Sequence, residues 1–354
     1  MASLPPAAPP APALTVDEVR TAQERIAGRV HRTPLVRSRT LDDRVGARLL
    51  LKAESLQRAG AFKARGAFNA VLAGLERGDR RALIAVSSGN HGQAVALAAR
   101  ELQLAATVVM PQDSSPLKLS ATRGYGAEVV SDGIDGRNRE EVARELAERG
   151  DLHLIHPFDD QDVMAGQGTS ALELLEQARS GGASPDAVLV PVGGGGLLAG
   201  VATVVRAVSP GTLVIGVEPR RADDAARSLA AGHRVALDAP PDTIADGVRT
   251  LQLGVRPWAV IRERVDAIVT VDEMDIVHAM WWLWTRTKLL VEPTGALPLA
   301  ALLAGRVAVG ERGADRAGAA QPRLPAGAVI ALLLSGGNVD PRQMATLFAG
   351  LPPP

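Results

Sequence analysis

Ala187-Val188-Leu189-Val190-Pro191-Val192-Gly193-Gly194-Gly195-Gly196-Leu197-Leu198-Ala199 is the stretch on which the fold turns. A short, continuous apolar run leads through four glycines into an Ala/Leu/Val segment with helical spacing. An apolar run of this length is a strand buried on both faces, and strand-turn-helix is the unit of a parallel sheet. Four consecutive glycines remove every Cβ, so backbone N–H groups can converge on one anion, and the helix N-terminus adds partial positive charge. The turn reads as a phosphate cradle, or more plainly as a flexible turn. Gly194, Gly196 and Ala199 also fit G-x-G-x-x-A, with Glu218 ending the next strand about 20 residues on, as a dinucleotide site requires. That second reading points to a nicotinamide-dependent oxidoreductase.

The same alternation runs along the chain. Strands are expected at residues 47–52, 82–86, 106–110, 128–131, 153–155, 187–192, 213–218, 267–271 and 329–334. Helices are expected at 16–26, 66–75, 92–102, 115–123, 139–147, 165–178, 197–208 and 273–287. Apolar strands alternating with helices predict an α/β protein of mostly parallel twisted sheets covered by helices. No repeat of fixed period is present. The Gly/Ala/Arg-rich residues 305–321 read as a solvated connection. The Pro/Ala-rich start, residues 1–15, reads as a disordered tail, and Pro352–Pro354 is set aside with it.

Composition narrows the function. The 354 residues suffice for two or three lobes. Lys plus Arg is 39 and Asp plus Glu is 39, so no charge excess favours nucleic acid. Cysteine is absent, which excludes disulfides, thiolate metal sites and a cysteine nucleophile. The longest apolar run, Ala328–Leu334, is far short of the ~18 residues of a membrane span, and the N-terminus lacks the basic start of a signal peptide. These features predict a cytoplasmic protein without membrane or nucleic-acid partners. Lysine occurs only at Lys52, Lys63, Lys118 and Lys288, so lysine chemistry has four candidates.

In parallel sheets ligands bind where strands exit into helices. Ser87-Ser88-Gly89-Asn90-His91-Gly92-Gln93 leaves the strand ending at Val86. Its side chains and N–H groups suit a carboxylate or a ring hydroxyl, beyond what simple helix capping needs. In Gly60-Ala61-Phe62-Lys63-Ala64-Arg65-Gly66-Ala67 a lysine stands near a helix start beside Arg65. Both features disfavour its charged form and favour a nucleophilic amine, against the bland reading of a surface lysine. Ser335-Gly336-Gly337-Asn338 follows a buried strand, so Ser335 could offer one hydrogen bond or simply form a turn. Glu218-Pro219-Arg220-Arg221-Ala222-Asp223-Asp224 groups three acidic side chains, suited to a hard divalent cation or to solvent. His153 and His156 read as structural.

Together these motifs resemble the pyridoxal-phosphate (PLP) enzymes of the threonine/serine dehydratase and serine racemase family, of tryptophan-synthase-β-like fold type II. Further stretches join the resemblance in order: His156-Pro157-Phe158-Asp159-Asp160, Ala165-Gly166-Gln167-Gly168-Thr169, Thr243-Ile244-Ala245-Asp246-Gly247-Val248 and Glu292-Pro293-Thr294-Gly295-Ala296. The resemblance covers about residues 20–340. It implies two domains, a large PLP-binding domain (16–81 and 160–350) and a small mobile domain (82–159), without a regulatory domain, in a homodimer. It implies that Lys63 forms the Schiff base, Phe62 packs near the ring, Asn90 bonds the ring hydroxyl, and Gly193, Gly194, Gly195 and Gly196 hold the phosphate. Ser335 would face the ring nitrogen, and Glu292 would stand near the cofactor. Ser87, Asn90 and His91 would receive the substrate carboxylate. Glu218, the Ala222 carbonyl and Asp224 would bind Mg²⁺ or Ca²⁺.

The activity so implied is that of an ammonia-lyase (dehydratase) on a β-hydroxy amino acid, giving a 2-oxo acid and ammonia. The same scaffold carries serine racemase as the alternative. Ser88 stands where dehydratases resemble one another in having alanine and racemases have serine; its hydroxyl would be a second acid/base opposite Lys63. Arg139 is similar to an arginine that racemase-like members aim at the substrate side chain. It would suit a second carboxylate, which adds 3-hydroxyaspartate to serine and threonine; the plain alternative is a solvated helix arginine. Thr250 replaces a racemase serine and keeps the hydroxyl. Ala61 replaces the serine that usually precedes Phe-Lys, and Phe158 is similar to dehydratases.

Overall fold

The computed structural model describes residues 13–311 and 321–352. Residues 1–12 of the expected tail, residues 312–320 of the expected solvated connection, and Pro353 and Pro354 lie outside the described residues. In chain order the strands are β1 (Leu35–Val36), β2 (Arg48–Ala53), β3 (Leu83–Val86), β4 (Ala106–Val109), β5 (Glu128–Val130), β6 (His153–Leu154), β7 (Ala187–Pro191), β8 (Leu213–Pro219), β9 (Ala267–Val271), β10 (Ala308–Val309), β11 (Arg323–Leu324) and β12 (Val329–Leu334). A six-stranded sheet has the order β1-β2-β12-β7-β8-β9, and a four-stranded sheet the order β5-β4-β3-β6. All pairings in both are parallel except β1 with β2. All strands of the smaller sheet come from residues 83–154; those of the larger come from segments on either side.

The strand sequences explain the two-sided cover. In β2, Leu49 and Leu51 face one core and Leu50 the other. In β12, Leu332 opposes Ala331 and Leu333, and in β7 Leu189 opposes Val188 and Val190. One core is closed by helices Glu273–Thr287 and Pro293–Leu303, the other by Gln161–Ser180 and Gly196–Val208. Each buried Leu, Val or Ile side chain contributes about 1.5–3 kcal/mol of transfer free energy, on both faces of the sheet. No helix among the described residues is long and apolar enough to cross a membrane.

Helix Lys63–Glu76 lies between the two sheets. Its Ala64, Ala67 and Phe68 pack with Leu83, Ala85, Val108 and the helix Asn90–Glu101. Its first turn rests on helix Gln161–Ser180 at backbone distance: a Cβ on Gly166 would stand 2.6 Å from the Arg65 carbonyl oxygen. The turn is also tied to the end of β12, where the Phe62 N–H donates to the Ser335 carbonyl at 3.0 Å and Ala61 bridges to Gly336. Beyond β12, Asn338 donates to Asn90 at the exit of β3, and the exits of β3 and β7 border one space with Lys63.

Candidate active site

At that place lies a cleft with about 900 Å³ of empty space, part of it open to solvent, whose walls include Lys63, Ser88, Asn90, Arg139, Phe158 and Thr250. Its floor is the glycine turn. Gly195 takes φ +91°, a conformation that favours glycine, and caps helix Gly196–Val208. A Cβ on Gly194 would stand 2.3 Å from the Phe158 ring. The Phe158 loop is fixed in turn by Asp159, whose carboxylate accepts from Val255 N at 2.9 Å and Arg256 N at 2.8 Å. The result is a turn built of backbone alone, with Phe158, Val248, Leu253 and Ile261 packed where its side chains would stand.

The Lys63 side chain enters the cleft. Its Nζ donates to the Pro157 carbonyl at 2.7 Å and lies 5.2 Å from the Phe62 ring centroid. Burial lowers its pKa to about 8. Arg65, expected from its place in the sequence to share in this effect, does not: burial alone lowers the lysine. Two residues apart on a helix point to opposite sides, and Arg65 is engaged behind the turn. Arg65 pairs with Glu54 at 2.8 Å and Glu173 at 2.7 Å, while Lys52 meets Glu173 at 2.7 Å. Glu54, Lys52 and Arg65 are all fully buried.

At the β3 exit, Ser87 Oγ accepts from Gly89 N at 2.9 Å. Asn90 Nδ2 donates to Glu292 at 2.5 Å, and its Oδ1 accepts from Asn338 Nδ2 at 3.0 Å, which orients the amide and leaves one N–H free. His91 Nε2 meets the Ile155 carbonyl at 2.8 Å; burial and Lys63 hold its pKa to about 3. His91 is therefore a neutral ring donating through Nε2, and its buried Nδ1, without a partner, is an acceptor. It lines the cleft but is set to receive a proton donor, not the expected carboxylate. Glu292 is buried behind Asn90, with its pKa raised by burial against the pull of Lys118. Ser335 is 1% exposed and its Oγ has no partner.

Lys118 is the residue the sequence reading counts but gives no role. Its stem crosses Gly89, where a Cβ would collide at 2.3 Å, and its Nζ reaches Asp246 at 2.6 Å and Glu292 at 3.2 Å. The two carboxylates hold it as an ammonium, its pKa raised despite burial. The scarcity of lysine is its only signal in the sequence.

Arg139 is no solvated helix arginine. Nη1 donates to Ser88 Oγ at 2.7 Å and Nη2 to the Arg249 carbonyl at 3.1 Å. The structure thereby brings Ser88, Arg139 and Thr250 to one wall of the cleft. Thr250 Oγ1 is buried without a partner.

Glu218, Ala222 and Asp224 lie elsewhere, at the exit of β8. Glu218 accepts from Ala226 N at 2.8 Å and Ala225 N at 3.3 Å. It turns to helix Asp224–Ala231 and away from the glycine cradle, so the dinucleotide reading loses its acidic residue. Glu218 is pushed well up by burial and by Asp224; burial raises Asp224 to about 7. Among the described residues, no three His, Asp or Glu side chains group into a metal cluster. His153 pairs with Asp79 at 3.0 Å.

Comparison with known proteins gives these geometries a context. The family described as "Pyridoxal-phosphate dependent enzyme" matches residues 26–316. The L-threo-3-hydroxyaspartate ammonia-lyase of Saccharomyces cerevisiae is 44% identical over 337 residues, covering 95% of this chain and 97% of that one. A threonine deaminase from T.th. superposes with a TM-score of 0.83 at 57% identity, covering 92% of this chain and 99% of that one. Maize serine racemase does so with 0.83 at 37% identity, covering 95% and 97%.

Proposed function

The chain belongs to the pyridoxal-phosphate dependent enzymes, with their fold type II, and from that premise we propose an ammonia-lyase that converts a β-hydroxy amino acid bearing a second carboxylate to a 2-oxo acid and ammonia. The observation that carries the substrate is Arg139, a guanidinium on the cleft wall that donates to neutral oxygens and, among the described residues, has no carboxylate within ion-pair distance. 3-Hydroxyaspartate meets that description; threonine and serine are the lesser substrates. The names of the relatives support the reaction for both substrate types.

The residues fit the cofactor. The glycine turn presents only backbone to the cleft at the N-terminus of helix Gly196–Val208, which suits a phosphate. The orphaned, buried Ser335 Oγ offers an uncharged hydrogen-bond partner to a ring nitrogen. The free N–H of Asn90 suits the ring hydroxyl, and Phe62 borders the same space. When bound, pyridoxal phosphate supplies an electron sink for the bonds at the substrate's Cα. Lys63, with a pKa of about 8, is the amine able to take the Cα proton near neutral pH. Ser87 and the unpaired backbone N–H groups of the first turn of helix Asn90–Glu101, that of Asn90 among them, bind the α-carboxylate. Ser88 is the second proton-transfer group. Its presence favours one further reading, racemisation beside elimination.

We extend the proposal to a divalent cation, Mg²⁺ or Ca²⁺, held by Glu218, the Ala222 carbonyl and Asp224. Asp224 Oδ2 is buried without a partner among the described residues, and a cation would favour the ionised form of both carboxyls, which burial disfavours. We also propose a homodimer, which the family resemblance implies, and a cytoplasmic location, which the sequence composition suggests, with light scattering and cell fractionation as their tests.

The test of the substrate is kcat/KM for 3-hydroxyaspartate, threonine and serine in the wild type and in Arg139→Met. A charge-assisted contact of about 1.5–3 kcal/mol predicts a roughly 10- to 150-fold loss for 3-hydroxyaspartate in the variant. Equal losses for all three substrates would contradict a role for Arg139 at the second carboxylate.

A further inference from the structure

Arg139 opens helix Arg139–Gly150, in the stretch that builds the smaller sheet, and reaches across the cleft to the Arg249 carbonyl. Ser88, Arg139 and Arg249 form a wall shared by the main cleft and a second cavity that extends along Pro111, Asp113 and Pro240. The Arg249 guanidinium is occupied on its own account, by the Pro241 carbonyl at 3.2 Å and Asp113 at 3.4 Å. Both terminal amino groups of Arg139 donate to neutral oxygens, and among the described residues no carboxylate comes within ion-pair distance of it. Such a guanidinium is held in place but not neutralised.

The partner at Nη1 makes this consequential. Ser88 Oγ accepts from a cation, so its own hydrogen must point elsewhere, and among the described residues no acceptor takes it. The hydroxyl stands in the cleft with its hydrogen free. The neighbouring positive charge stabilises the alkoxide that remains when that hydrogen is given up. A substrate carboxylate taken end-on by the fork uses the same two amino groups, and an ionised acceptor outcompetes a hydroxyl for them.

We propose that Arg139 is shared between Ser88 and the substrate's second carboxylate, so that the substrate's side chain decides whether Ser88 is armed for proton transfer. With serine, which has no side-chain carboxylate, Arg139 stays on Ser88. Lys63 then takes the Cα proton from one face and Ser88 gives its proton to the other. Solvent returns a proton to the Ser88 alkoxide and takes one from the Lys63 ammonium, which restores the enzyme. With 3-hydroxyaspartate the fork turns to the substrate, Ser88 loses its cation, and elimination dominates. The inference rests on the proposed lyase reading and adds a competition to it.

The competition has a sign that a plain binding role for Ser88 lacks. In calorimetric titration of the holoenzyme with succinate, Ser88→Ala releases Arg139 from its 2.7 Å bond. It should therefore bind the dicarboxylate about three- to tenfold tighter than wild type, while Arg139→Met binds it at least tenfold weaker. Equal or weaker binding in Ser88→Ala overturns the proposal. In D₂O, deuterium at Cα of recovered substrate per oxo acid formed should be at least fivefold higher with serine than with 3-hydroxyaspartate; equal ratios also overturn it. If no substrate yields an oxo acid, the lyase reading fails, and the succinate titration still decides the sharing of Arg139.

Discussion

Lys63 and Arg65 stand two residues apart and face opposite worlds. Behind the turn, Arg65 and Lys52 meet Glu54 and Glu173 in a closed, fully paired set. In the cleft, among the described residues, the hydrogen-bond and ring partners of Lys63 and Arg139 are neutral: two carbonyls, a ring face and a hydroxyl. Each of these two pairs is one lysine and one arginine, with Lys118 and Arg249 also lining the cleft. The difference lies in the carboxylates: where two pair with them the cations are structure, and where, among the described residues, none comes within ion-pair distance they are left for a ligand. Lys118 extends the rule, since two carboxylates at the cleft's edge hold it as an ammonium.

The comparison breaks most sharply at its two ends. Lys63→Ala should lower turnover below detection while leaving the thermal midpoint at or above that of the wild-type apoprotein, because the substitution removes a desolvated, half-buried amine with no carboxylate within ion-pair distance among the described residues. Retained turnover would place the chemistry elsewhere. Glu173→Ala should do the reverse. It leaves Lys52 and Arg65 to share Glu54, and breaking such a set costs about 3–5 kcal/mol, read as a lower urea midpoint. A loss under about 1 kcal/mol, the scale of an exposed pair, would mean that the set is not a unit.

The state of the lysine sharpens the contrast. In apoprotein, uptake of pyridoxal phosphate should quicken roughly tenfold between pH 7 and 9 and then level, as an amine of pKa about 8 becomes neutral. An ordinary lysine would keep accelerating beyond pH 9. The smallest expected effect concerns the acidic pair at β8. Glu218 and Asp224 bind protons more tightly folded than unfolded, so the cation-free protein should lose stability as pH rises from about 4 through Asp224's value of about 7. Added Mg²⁺ or Ca²⁺ should therefore raise the thermal midpoint by a few degrees at pH 8 and by less at pH 6. Indifference to cation and chelator at both pH values would remove the metal proposal.

Legibility from sequence follows the same division. The apolar runs of β7, β8 and β12 announce strands buried on both faces, and their glycine- and serine-rich exits announce backbone-built sites, because both signals are local. Helix Pro293–Leu303 is not legible in this way: it is apolar on all sides and carries Pro298 inside, so it has no periodicity to read. Helices Asp224–Ala231 and Val255–Arg264 are likewise absent from the sequence expectations, the first because its stretch reads foremost as an acidic cluster. The partners of Arg65 are out of reach, since Glu173 is 108 positions away. The same distance in sequence hides the carboxylates of Lys118 and the Ser88–Arg139 bond. The residue types of the site are readable; which cations are already satisfied is not.

The central claim, that Lys63 is the amine left free for the cofactor, meets its most direct test in borohydride reduction of the holoenzyme followed by peptide mass mapping. The account predicts a visible absorbance band that reduction abolishes, and a phosphopyridoxyl mass on the peptide containing Lys63 with none on that containing Lys118. A colourless protein that takes up no pyridoxal phosphate, or a label on Lys118, would contradict it.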